Sequence, residues 1–162
     1  MSSLLNSEPH HPLFVYGTLR PGQSNYGRLV KGRTLTEQPA TLEDTCLLSC
    51  GSFPMAVAPN QVPHHFEGAT PCNWEIRGEL LTPHPFHYVQ LLYELDDLED
   101  YHPHDLRNSM YHRVERLVRT DAGAGVVAWV YLGNPGYVQA NYPLIPDGDW
   151  VAFRLRVREG VR

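Results

Sequence analysis

Two short segments of the chain hold residues able to do chemistry. The first is Tyr16-Gly17-Thr18-Leu19-Arg20-Pro21-Gly22, which closes the apolar run Leu13-Phe14-Val15-Tyr16 and is followed by Asn25. A strand that stops at a glycine leaves backbone N–H groups without ladder partners. If those groups converge in a turn, they form a nest able to hold a carboxylate or an oxyanion. Gly17 has no side chain to keep a ligand away from the backbone. A strand ending in an ordinary turn explains the same residues, and one glycine turn does not decide between the two. The second segment is the acidic run Glu94, Asp96, Asp97, Glu99 and Asp100. Most of such a run belongs on a solvated helix face. Glu99 differs because it follows Leu95 by four positions and Leu92 by seven, which sets it above the apolar stripe of a continuous helix. There both the helix dipole and desolvation disfavour the charged carboxylate. Those conditions suit a general base working near neutral pH, although a partly exposed helix-end glutamate with no such role fits the spacing equally well.

The elements that must position these residues are readable from periodicity. Leu13-Phe14-Val15-Tyr16 reads as a buried strand leading into a loop. Weaker strands are expected around Ala40 to Leu48 and Pro54 to Ala58, and a clearer one at Trp74 to Leu80. Pro85 to Asp100 is the best helix, with Pro85 in its first turn and Tyr88, Leu91, Leu92, Leu95 and Leu98 at spacings of three and four. Tyr111 to Val118 and the near-continuous apolar run Val126 to Leu132 are two further strands, joined by a turn at Asp121-Ala122-Gly123. Gly133 to Asp149 reads as a long loop or lid. Val151, Phe153, Leu155 and Val157 alternate with Ala152, Arg154, Arg156 and Arg158, which predicts a last, half-exposed strand, with a helix as the alternative. Many strands and one clear helix predict a compact mixed sheet or barrel with few helices.

Other groups could carry chemistry but lack its spacing. The 9 histidines include His10-His11, His64-His65 and the His102-Pro103-His104-Asp105 cluster, with His112 nearby. None has the spacing of a helical zinc enzyme or a structural zinc site, so water-exposed loop histidines are the better explanation. Cys46, Cys50 and Cys72 read as buried free thiols. Trp74, Trp129 and Trp150 are expected in the core or in pocket walls. Arg154, Arg156 and Arg158 are expected on the solvated face of the last strand.

Composition narrows the classes. With 162 residues, 42% hydrophobic and 19% charged, the chain is an ordinary globular one. A polar, frayed and disordered tail over 1–12 and a single domain over 13–162 are expected. The formal net charge of −5 and the lack of a dense basic stripe argue against nucleic acid as the main partner. No apolar run is long enough to span a bilayer, and Met1 to His11 has no signal-peptide pattern. Three cysteines do not make a secreted disulfide framework. A cytoplasmic protein is expected, with a small molecule as its partner, and a monomer or weak homodimer as its state.

Phe14-Val15-Tyr16-Gly17-Thr18-Leu19-Arg20-Pro21-Gly22 resembles the N-terminal signature of the gamma-glutamylcyclotransferase-like family. Leu95-Asp96-Asp97-Leu98-Glu99-Asp100-Tyr101 is similar to its second motif, in which a leucine–aspartate pair precedes the catalytic glutamate. Tyr111-His112-Arg113-Val114, Ala128-Trp129-Val130-Tyr131 and Ile145-Pro146-Asp147-Gly148-Asp149-Trp150 resemble further landmarks in the same order. The chain departs from the pattern at Asp100, where the family often has glycine, and in the His- and Pro-rich stretch His102 to Ser109.

The resemblance implies an α+β fold, a small mixed β-barrel flanked by a few helices. It implies intramolecular attack of the α-amine of a γ-glutamyl group on its own γ-carbonyl, releasing 5-oxoproline and a free amine or amino acid. In that reading Glu99 is the general acid/base, Gly17, Thr18 and Leu19 anchor the substrate's α-carboxylate, and Tyr16 and Tyr111 line the site. No cofactor and no metal is required. The loops at His64 to Pro71, His102 to Met110 and Gly133 to Pro146 are expected to select the leaving amine. The alternative is a non-catalytic module of the same fold that binds small carboxylates. A metal-dependent hydrolase, resting on histidine count alone, is the weakest reading.

Overall fold

The computed structural model describes residues 8–62, 74–158 and 160. Five strands form a closed barrel: β1 (Leu13–Val15), β5 (Glu75–Pro83), β2 (Thr34–Glu43), β6 (Tyr111–Thr120) and β7 (Gly125–Gly133), in that order around the wall. All pairings are antiparallel except β1 against β7, where Leu13 stands opposite Trp129. A hairpin of β3 (Cys46–Ser49) and β4 (Pro54–Val57) makes a separate two-stranded sheet. Three α-helices complete the described residues: α1 (Tyr26–Leu29), α2 (Tyr88–Leu98) and α3 (Trp150–Arg158). The mixed barrel with few helices matches the expected class. None of these helices is long and apolar enough to cross a membrane.

β1 explains why its sequence is continuously apolar rather than alternating. Phe14 and Tyr16 belong to one buried cluster with Ile76, Leu80 and Val130. Leu13 and Val15 face the other way, into a cluster with Leu91, Leu92 and Leu95 of α2. A strand covered on both faces has no solvent side to mark with polar residues. The same packing fixes α2 against the barrel, and α2 in turn carries Glu99 to the end of β1.

Three expectations are corrected. The region around Ala40 to Leu48 is two strands, with Asp44 in the left-handed region (φ 53°) between them. Residues 8–12, expected within a frayed tail, lie on the barrel. Tyr88 Oη donates to the carbonyl of His11 (2.7 Å), His10 stacks on the Tyr88 ring, and Trp129 N donates to the carbonyl of Pro12. Polar side chains hid a segment held largely through its backbone and rings. Last, Trp150–Arg158 is a helix, not a strand. Asp149 starts it: its carbonyl accepts from Phe153 N (3.0 Å) and its Oδ1 from Ala152 N (3.2 Å). Trp150 is the only side chain that the helix buries, so the Arg alternation has no buried face to report. The three arginines do not share one role: Arg154 lies over the Trp150 ring and donates to the Gly51 carbonyl, and Arg156 pairs with Asp147.

Candidate active site

After β1 the chain turns through Gly17, Thr18 and Leu19 and is fastened from behind. Arg20 N donates to the Gly17 carbonyl (3.1 Å), and Asn25 N and Nδ2 donate to the Thr18 carbonyl (2.9 Å) and Oγ1 (3.0 Å). The Gly17 and Thr18 carbonyls are thus taken up internally. Among the described residues nothing accepts from the N–H groups of Gly17, Thr18 or Leu19. Gly17 is required by packing: a Cβ there would lie 2.7 Å from Cγ and 2.8 Å from Cδ of Pro54. The close approach that the missing side chain permits is therefore made by the hairpin. Arg20 anchors the turn by bonding Glu79 through Nε (2.6 Å) and Asp149 through Nη1 (3.0 Å).

Gly17, Thr18 and Leu19 line a cavity of about 310 Å³, and so do Tyr16, Tyr111 and Glu99. All six residues singled out from the sequence thus border one space. Two tyrosine hydroxyls in its wall are already committed. Tyr16 Oη donates to the Tyr131 carbonyl and accepts from Ala56 N (3.3 Å), while Tyr111 Oη donates to the Pro54 carbonyl (2.8 Å). A hydroxyl has one proton to donate. These side chains therefore fix β4 to the barrel and give the cavity aromatic walls.

Glu99 caps the C-terminus of α2 and, among the described residues, is the only charged one lining the cavity. It is half-buried, bordering the space while packed against the helix end. Burial first, and then the charge of Asp96, push its carboxyl up to about 8. The chain leaves it through Asp100 in the left-handed region (φ 52°), whose carbonyl accepts from Met110 N (3.0 Å) and whose Oδ1 lies 2.6 Å from His102 Nε2.

Other members of the acidic run part company. Asp97 is exposed, as expected. Glu94 is half-buried in an ion pair with Arg33 Nη1 at 3.0 Å rather than free on a solvated face. Asp96 is buried: Arg113 Nε (2.9 Å) and Nη2 (3.2 Å) donate to its two oxygens, and Tyr131 Oη donates at 2.6 Å. Asp96, Arg113 and Tyr131 were missed as site residues. The signals were present. Asp96 follows Leu92 by four, and Arg113 shares the inward face of β6 with Tyr111, so a buried guanidinium had to find a carboxylate.

Among the loops expected to select the leaving amine, only Met110 reaches the cavity within the described residues. Ser24, Asn25, Ser52 and Phe53 border it instead. His64 to Pro71 and Cys72 lie outside the described residues. Among those described, no three His, Cys, Asp or Glu side chains converge as metal ligands. His112 Nε2 contacts the Leu106 carbonyl at 2.8 Å, and His102 pairs with Asp100.

Among the described residues, one carboxylate and the unpaired amides of Gly17 to Leu19 thus border a single cavity at the end of the barrel strand β1. Residues 13–152 match the model of the family described as gamma-glutamyl cyclotransferase, AIG2-like, and the chain belongs to that family. It is 27% identical over 151 residues to the gamma-L-glutamyl-butirosin B gamma-glutamyl cyclotransferase of Niallia circulans, covering 92% of this chain and 81% of that one. Its fold is similar to an AIG2-like protein from Mus musculus (TM-score 0.60, 24% identity, 86% of this chain and 88% of that one). YkqA from Bacillus subtilis is also similar (TM-score 0.62, 22% identity), with 92% of this chain matched but only 42% of the length of YkqA spanned.

Proposed function

We propose that the protein is a γ-glutamyl cyclotransferase that releases 5-oxoproline and a free amine, with Glu99 as the general acid/base. The observation that carries this reading is the isolation of the Glu99 carboxylate in a neutral cavity, bordered also by Gly17 to Leu19 with their unpaired N–H groups. A γ-glutamyl head group is a zwitterion. Its α-carboxylate would take the backbone N–H groups, and its α-ammonium would meet Glu99.

The reaction asks little else of the protein. The nucleophile is tethered to its electrophile, so orientation within the substrate supplies much of the rate. Ionised Glu99 takes one proton from the α-ammonium. The freed amine attacks the γ-carbonyl, a C–N bond forms, and the old C–N bond to the leaving group breaks. Over the cycle two protons pass from the α-nitrogen to the departing nitrogen, with Glu99 carrying one at a time. A carboxyl titrating near 8 is well matched to an ammonium, because neither direction of transfer is steeply uphill.

The test is to incubate the protein with a panel of γ-glutamyl amino acids, γ-glutamyl amines and γ-L-glutamyl-butirosin B, and to assay 5-oxoproline. Formation of 5-oxoproline from at least one is expected. Amide chemical-shift changes at Gly17 to Leu19 on adding 5-oxoproline, without turnover of any panel member, would favour the carboxylate-binding module instead.

A further inference from the structure

Behind the cavity lies a buried charge cluster that the reaction as written does not use. Arg113, whose side chain is only 2% exposed, is held between two carboxylates, Asp96 on α2 and Glu8 from the segment before β1 (2.9 Å from Nη1). It also lies over the rings of Trp129, 4.5 Å from the centroid, and Tyr101, 5.4 Å away. Asp96 receives both Arg113 bonds and the Tyr131 hydroxyl. Burial is the larger influence and raises its carboxyl above the ordinary value, with Arg113 and Tyr131 acting the other way; donors reach both of its oxygens, so it accepts as a carboxylate. Tyr131 itself borders the cavity and, through its carbonyl, holds the Tyr16 hydroxyl. One connected set of side chains therefore runs from the inward face of β6 to the cavity wall.

Asp96 precedes Glu99 by three positions at the end of the same helix, so the two carboxylates are neighbours on its last turn. We infer that Asp96 is a positioning residue for proton exchange at Glu99: fixed and ionised by Arg113 and Tyr131, it keeps a second negative charge off Glu99 until a cationic substrate arrives. This rests on the reading of Glu99 as the proton acceptor. The arriving ammonium offsets the repulsion between the two carboxylates and lets Glu99 ionise beside the group it must deprotonate. Empty enzyme would then hold Glu99 protonated, and occupied enzyme would hold it charged. The other titratable groups facing Glu99 are the phenols of Tyr16, Tyr111 and Tyr131, which burial keeps neutral. Among the described residues Asp96 is the charge that acts most directly on Glu99, with the Arg113 guanidinium paired to it offsetting part of its field and Glu8 lying beyond.

The experiment is Asp96→Asn, read in two ways on the full chain. One is the titration of the Glu99 carboxyl carbon by NMR in the free protein. The other is the pH profile of kcat/KM on whichever panel compound is turned over. Both midpoints should move to lower pH, by about half a unit or more. A merely structural role would lower activity without moving either midpoint. Asp96→Asn leaves a buried guanidinium short of a partner and can fail to fold. The triple variant Asp96→Asn/Arg113→Gln/Glu8→Gln removes the whole charge cluster without leaving an unpaired buried charge. It should move the Glu99 titration in the same direction by a smaller amount, because the Arg113 cation is lost with the carboxylates. An unmoved Glu99 titration in a folded variant overturns the inference and leaves the proposed reaction standing. A titration that moves in a protein making no 5-oxoproline overturns the reaction, and the catalytic meaning of Asp96 with it.

Discussion

Glu94 and Glu99 are the same residue type, five positions apart on one helix end, and the structure drives them in opposite directions. At Glu94 burial favours the neutral acid, but hydrogen bonds from Arg33 and Gln90 and the charges of Arg33 and Arg28 outweigh it, so the carboxyl titrates below its usual range. Glu99 has burial without a cation and a second carboxylate nearby, so its carboxyl rises to about 8. Depth alone does not separate the two. A carboxylate with a guanidinium at 3.0 Å is a structural anion, whereas one against a cavity wall with no cation beside it is left to titrate near neutral pH, the property that the proposed role as proton carrier requires.

The largest effect that can break this contrast is on turnover. Glu99→Gln keeps the size of the side chain but cannot accept a proton, so kcat should fall about a hundredfold to ten-thousandfold, with substrate affinity largely kept. Single-turnover assays of 5-oxoproline formation would measure it. Near-normal turnover in that variant would remove Glu99 from the mechanism. The unsubstituted protein should show kcat/KM rising with pH to a plateau above about 8, because the free enzyme must ionise Glu99 before it can act.

Next in size is the stability of the same variant. Because the Glu99 carboxyl is raised from 4.5 to about 8 on folding, the native state holds a proton there that the unfolded chain has lost. Stability therefore falls as pH rises from about 4.5 to 8, and the whole cost is present above 8. Glu99→Gln should leave the melting temperature unchanged near pH 4 and raise it by several degrees near pH 9. The full shift would correspond to about 5 kcal/mol, and contact of the half-buried carboxylate with water reduces the expected gain to about 2 kcal/mol. Equal melting temperatures at both pH values would show that the carboxylate is well solvated in the empty cavity.

Asp100 is expected to have a smaller effect. It holds a left-handed backbone (φ 52°) that glycine adopts without strain, and its hydrogen-bond partner His102 is half exposed. Asp100→Gly should raise stability by about 1 kcal/mol at pH 7 in a denaturant titration. A loss of stability would mean that the His102 contact outweighs the backbone strain.

Legibility from the sequence followed the range of the interactions. The turn at Gly17 and the placement of Glu99 were readable because both depend on local spacing: a strand closed by glycine, and a carboxylate set above an apolar stripe. Asp96 was not singled out from the acidic run although it follows Leu92 by four, because its partners, Arg113 and Tyr131, arrive from β6 and β7, and the helix's own spacing shows only that it lies near the apolar stripe. The purpose of Gly17 was half read for the same reason, since Pro54 fills its vacant side only once the hairpin has folded over. α3 misled for a different reason. A helix that buries one tryptophan leaves the arginine alternation as the dominant signal, and the Asp149 cap before it was the better guide.

The smallest effect belongs to Glu94, and its sign is the sharpest test of the comparison. Its carboxyl titrates below the usual range in the folded protein, so its contribution to stability is present above the unfolded value and is lost as pH falls through the folded one. Glu94→Gln should therefore destabilise at pH 7, opposite to what Glu99→Gln does at pH 9, and the difference should vanish near pH 3. The pair with Arg33 is about a quarter exposed on each side, so the loss should be about 0.5–1 kcal/mol. High salt should shrink it, because a partly exposed ion pair is screened. Turnover should stay within about twofold of the unsubstituted protein, since Glu94 does not border the cavity. A variant that kept its stability at pH 7 but lost 5-oxoproline formation would reverse the two assignments, making Glu94 the proton carrier and Glu99 the structural anion.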